Sequence, residues 1–275
     1  LYLDFAVIGV CVSLFGFSVY KGLNKGIKNL SNFNLGLALF FLLLILISVN
    51  FIELAQIGAS GIYYSFVYFW DMSTLGIVEE SEFAKEWTIF YWAWWVAFGP
   101  LVGLFIARIS KGRTLRGIIF GMLFFGTLGT WLFYTILGGY AMISDINGEM
   151  NVVQNMKIYG HADTAIQVIT SLPLQNLMLL IFCVITVVFV TTSYDSMSYV
   201  ISYHVLKKDG QASNPHKNLR LFWAIILGIL PAALVLYSDH SVALDIILIT
   251  SLPLMLVYPL MAISIVKELK SYEET

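Results

Sequence analysis

Charge is scarce in this 275-residue chain: Asp, Glu, Lys and Arg make up only 12% of it. A soluble domain carries about twice that fraction, so a water-exposed globule is excluded. Cysteine is scarcer still, with only Cys11 and Cys183, each inside an apolar run. They read as small core residues and not as a disulfide or a thiolate metal pair. Four histidines, His161, His204, His216 and His240, lie far apart in or near loops and read as solvated or capping groups. There is no Gly-rich phosphate loop, no metal-ligand spacing, and nothing that calls for a nucleic-acid partner or a cofactor. What fills the chain is apolar: 59% hydrophobic residues and a mean hydropathy of +0.83, the composition of a protein solvated by lipid.

A spanning helix needs about 20 apolar residues. Seven stretches qualify: 4–20, 33–51, 87–107, 115–138, 175–203, 220–238 and 243–266. Segment 52–74 is apolar but broken by Glu53, Gly58, Gly61 and Asp71, which suits an interfacial helix better than an eighth span. Basic residues test the topology. Alternate connections hold Lys21, Lys25 and Lys28, then Arg108, Lys111, Arg113 and Arg116, then Lys207, Lys208, Lys217 and Arg220, and the tail has Lys267 and Lys270. The opposite side holds only Lys85 and Lys157, among acids such as Glu79, Glu80, Glu82 and Glu86. By the positive-inside rule the chain starts outside and ends in the cytoplasm of a cell (plasma) membrane. The chain opens on Leu1 and enters an apolar run without a polar leader, so it is no signal peptide and reads as a fragment lacking its N-terminal part.

One segment stands apart. Residues 87–100 read WTIFYWAWWVAFGP, with four tryptophans in nine positions. On a helix Trp87, Tyr91, Trp94, Phe98 and Phe105 share one face, Trp95 flanks it and Trp92 points away. A belt at the membrane interface explains most membrane tryptophans, and it suits Trp87. Trp94, Trp95 and Phe98 lie deeper, beside Gly99 and Pro100, where a break in the helix is expected. Ring faces attract cations, and quaternary ammonium groups are the ligands bound this way. Pro100 also lacks the N–H that would bond the carbonyl of Val96.

WTIFYWAWW followed by GPLVGLFIARISKGRTLR resembles the signature of the betaine/choline/carnitine transporter family. KGIKNLSNFNLGLAL (25–39) is similar to its cytoplasmic loop and next helix, and TTSYDSMSYV (191–200) to its Thr-Ser-x-Asp-Ser helix. The resemblance implies an all-α polytopic membrane protein with a partial LeuT-type inverted-repeat transporter fold. The chain would match the last seven of twelve spans: residues 1–74 would close the first repeat and add an amphipathic interfacial helix, and 75–275 would form the second five-helix repeat with a short tail. It further implies an aromatic cage and substrate pathway at Trp87, Phe90, Tyr91, Trp94, Trp95 and Phe98. The function implied is secondary active import of quaternary ammonium or related compatible solutes such as glycine betaine, choline or carnitine. Phe98 is a departure, since many members carry Trp and some Tyr there, and it leaves the preferred substrate open. The amphipathic helix of relatives helps to hold a trimer, so a homotrimer is expected, completed by the missing N-terminal half.

In sodium-coupled members a Thr-Ser pair and a carbonyl one turn earlier bind the ion. The matching positions are Thr192, Ser193 and Phe189, which i, i+3, i+4 spacing places on one face. The rival is hydroxyls bonded back to their own helix. Sodium-independent carnitine antiporters of the family carry an arginine in the seventh span, whereas residues 32–51 here have no Lys or Arg, which points to sodium as the coupling ion. Asp195 is the only acid well inside an apolar run; it lies near the cytoplasmic end, opposite the Thr192/Ser193 face, and a structural partner is expected for it among neighbouring hydroxyls or at Arg108. Substrate exchange, or a sensor that binds without transport, are the alternatives. A membrane enzyme would need clustered nucleophiles or paired acids on facing spans, and none is seen.

Overall fold

The computed structural model describes residues 9, 10, 13, 26–78, 85–206, 215–237 and 240–273. The expected span at 4–20 falls mostly outside them. The described residues form ten α-helices: α1 (Gly26–Ser48), α2 (Phe51–Val67), α3 (Phe69–Val78), α4 (Phe90–Ile109), α5 (Leu115–Phe133), α6 (Gly139–Ile146), α7 (Val152–Thr170), α8 (Gln175–Val205), α9 (Lys217–Tyr237) and α10 (His240–Glu273). A π-helical turn, Lys85–Ile89, leads into α4, and another, Tyr134–Gly138, joins α5 to α6. There is no strand among the described residues, so the protein is all-α. Among the described residues, five helical stretches are long and apolar enough to cross a membrane: Lys28–Ser48, Trp87–Ile109, Leu115–Ile146, Gln175–Val205 and Asp245–Glu268. This is a multi-pass membrane protein. The segment expected to span at 220–238 is the helix α9 and is not among those five.

Local chemistry sets the boundaries. Asn50 ends the run that follows α1 and starts α2, its side-chain Oδ1 accepting from the Ile52 N–H at 3.2 Å. Thr114 caps α5, its hydroxyl accepting from Gly117 N–H at 3.3 Å. Asp145, at the end of α6, accepts from the first amide of α7, Val152 N–H, at 2.6 Å, which suits a carboxylate at the positive end of a helix. Gly160 bends α7 with φ of 83°, a value glycine tolerates.

The chain groups into two compact units, Leu1–Val67 with Ser110–Ile225, and Tyr68–Ile109 with Ile226–Thr275. These interleave in sequence.

In the first unit α1 packs along α8. Ala38, Phe41, Leu42 and Ile45 are the buried stripe of α1, at the i, i+3, i+4, i+7 spacing of one helical face. The facing residues of α8 change character along its length. Met178, Ile181, Ile185 and Val188 are buried and apolar, and Thr191, Asp195, Ser198 and Ser202 continue the same seam as buried polar groups. The helix α2 meets the π-turn and α6 through small residues. A Cβ on Gly58 would strike Thr135 Cγ2, and one on Gly139 would lie 2.6 Å from Leu54 Cδ1. Cys183, expected in a core, is exposed instead. In the second unit, α10 packs along α4.

Candidate substrate and ion sites

The aromatic residues of α4 converge on Trp94. Its ring stacks with Phe90 (6.4 Å between centroids, 9° between planes) and with Phe98 (6.3 Å, 30°). Trp95 lies 5.6 Å from it, and Tyr91 meets it edge-on at 6.0 Å. Trp87 stacks on Tyr91 at 5.6 Å and 18°. Helical spacing therefore joins all six expected cage residues into one ring cluster. Trp94 is 38% and Trp95 57% exposed, so the described residues leave much of both rings uncovered. Trp92, expected to point away, is 69% exposed and belongs to none of these pairs.

The expected break at Gly99 and Pro100 takes another form. The helix α4 runs unbroken from Phe90 to Ile109 with Pro100 inside it. The hydroxyl of Tyr258 on α10 donates to the Val96 carbonyl at 3.1 Å, the acceptor that proline at i+4 leaves without its amide. Gly99 makes the approach possible, because a Cβ there would collide with the Tyr258 hydroxyl.

On α8, the three expected ion positions lie within one turn. Thr192 and Ser193 both donate to the Phe189 carbonyl, at 2.9 and 3.0 Å. This is the back-bonded arrangement weighed above as the rival to ion binding. It uses the hydroxyl protons, so what these oxygens could offer a cation is their lone pairs.

Comparison with known proteins decides the family. A model of the betaine/carnitine/choline family transporters matches residues 1–274. The chain belongs to this family. A carnitine transporter of Acinetobacter baumannii is 34% identical over 225 residues, covering 81% of this chain and 40% of the relative. The glycine betaine transporter OpuD of Bacillus subtilis is 33% identical over 275 residues, covering 96% and 51%. A glycine betaine/proline/choline/ectoine transporter of Vibrio parahaemolyticus is 34% identical over 265 residues, covering 92% and 45%. The chain thus spans about half the length of the curated relatives it matches. Members of this family are transporters, not enzymes.

Within this betaine/carnitine/choline family chain, Asp195 has a partner other than those expected. Arg220 at the start of α9 donates from Nη2 to Asp195 Oδ1 at 2.9 Å. Asp195 is fully buried and Arg220 is 4% exposed, with its guanidinium 5.4 Å from the Tyr199 ring centroid. Arg220 was grouped with the basic loop residues. It is a buried counter-ion, because an intramembrane carboxylate needs one. Tyr258 also escaped the sequence reading: it is a tyrosine among apolar residues, and its only local signal is Pro259 beside it.

Proposed function

We propose that this chain serves in a secondary active transporter that imports quaternary ammonium or related compatible solutes, of the glycine betaine, choline or carnitine type, in symport with sodium. The observation that carries the reading is the ring cluster around Trp94, set in a chain that matches the family from end to end. A trimethylammonium has no N–H to donate, so hydrogen bonding cannot recognise it. Ring faces can, at about 2 kcal/mol or more in a desolvated pocket. The names of relatives, which include carnitine and glycine betaine transporters, agree with that chemistry.

The rest of the reading is of a piece with it. The fold would be the LeuT type, seven spans strong in this stretch, divided at 74/75 between the end of one repeat and the whole of the next. The start of the chain would face outside and its end the cytoplasm of the plasma membrane. A partner segment of the same protein would complete the site, and three copies would associate. Thr192, Ser193 and the Phe189 carbonyl would hold sodium, since neutral oxygens suit a hard monovalent cation.

Uptake of labelled glycine betaine by the intact protein in proteoliposomes tests both parts. Uptake driven by an inward sodium gradient is expected. Equal uptake in potassium buffer would overturn symport, and binding without flux would make the protein a sensor.

A further inference from the structure

The helix that carries the ring cluster depends on a residue 162 positions away. Three features of the second unit interlock at one turn. Pro100 deprives the Val96 carbonyl of its backbone donor, Tyr258 replaces that donor from α10, and Gly99 leaves the space the hydroxyl needs. A proline alone leaves a carbonyl unmet in hydrocarbon. A glycine alone loosens the helix. The bonded carbonyl belongs to the residue next to Trp95 and two before Phe98, so the bond sits within the turn that presents the rings. Pro259 follows Tyr258 inside α10, which leaves that helix short of an amide donor one residue on from the contact.

We propose that Tyr258 is a positioning residue for the aromatic cage. Its hydroxyl stands in for the amide that Pro100 lacks, keeps α4 helical through the proline, and so sets where Trp94, Trp95 and Phe98 face. It touches no substrate. Its consequence for substrate affinity rests on the transporter reading above, while the bond itself does not.

The test is a pair of mutant cycles in the intact protein, read twice: by thermal midpoint without substrate, and by KM and maximal rate of glycine betaine uptake. Tyr258→Phe keeps the ring and removes the donor. It is expected to lower the midpoint and raise KM about fivefold, with the maximal rate changed less than twofold. Pro100→Ala restores a backbone N–H to the Val96 carbonyl, so adding Tyr258→Phe to it is expected to change little. Gly99→Ala pushes the hydroxyl away and is expected to match Tyr258→Phe without adding to it, which serves if Pro100→Ala does not fold. Tyr258→Phe acting by the same factor in every background would overturn the proposal, as would its having no effect. If the wild-type protein takes up no glycine betaine, the transporter reading fails alone. The cycle in thermal midpoint then decides the latch: non-additivity sustains it and additivity sinks it.

Discussion

The Asp195–Arg220 pair invites the sharpest test of what holds α8 to α9. Each charge is buried, at 0% and 4% exposure, and Arg220 Nη2 meets Asp195 Oδ1 at 2.9 Å. The guanidinium has one further aromatic face, Tyr199, and its Nε has no hydrogen-bond partner among the described residues. At an effective dielectric near 20, charges this close attract by about 6 kcal/mol before desolvation is subtracted. Desolvation removes most of that gain, so the net worth of the intact pair is small. Removing one partner is different, because the other charge stays buried and loses this counter-charge. Arg220→Leu or Asp195→Leu is therefore expected to cost about 3–5 kcal/mol. For a chain of this size, that is a fall of about 5–9 °C in thermal midpoint. The double substitution Asp195→Leu/Arg220→Leu removes both charges and should recover most of the loss. Thermal unfolding of the four proteins in one detergent, followed by tryptophan emission, gives the cycle. A double mutant as unstable as the sum of the singles would refute the reasoning, since the penalty would then come from packing and not from an orphaned charge.

Three further outcomes follow from the geometry. Trp94→Leu removes the ring that touches Phe90, Tyr91, Trp95 and Phe98, and substrate affinity should fall about thirtyfold. A substrate-dependent tryptophan signal that survives in the folded variant would contradict it. Thr192→Val with Ser193→Ala removes both hydroxyls beside the Phe189 carbonyl, and the sodium concentration for half-maximal uptake should rise at least about tenfold. An unchanged sodium curve would return those residues to the helix-bonding role alone. Gly58→Ala puts a methyl into Thr135 Cγ2 and should cost about 1–3 kcal/mol in a thermal melt. Adding Thr135→Ser, which removes that methyl, should restore much of it.

Residue order carries some of these features and hides others, and the division follows sequence distance. The tryptophan span was expected at 87–107 and its helical stretch runs Trp87–Ile109, because apolar run length in lipid reports helix length directly. The cluster around Trp94 was likewise visible, since residues three and four apart on a helix meet whatever surrounds them. Thr192 and Ser193 reach Phe189 for the same reason. Asp195 shows the limit. Periodicity could place it in a buried run, but its counter-ion Arg220 lies 25 residues on, beyond the reach of local spacing. The pairing of Arg220 is hidden in the same way, because a basic residue at a helix start looks the same whether it faces headgroups or a buried acid.

The proline in α4 makes the physical point most clearly. Its position alone states which carbonyl lacks a donor, so Val96 could be named without coordinates. Whether the helix then breaks depends on what else can donate to that oxygen. Water would force the turn open toward a cavity, whereas a hydroxyl from a neighbouring helix lets the ladder close over the gap. Tyr258 takes the second course, and Gly99 is the local trace of it, a residue whose missing side chain makes room for an atom from elsewhere. A glycine next to a proline inside a lipid-soluble helix thus has two readings, a hinge or a socket. The close approach of the Tyr258 hydroxyl makes this one a socket.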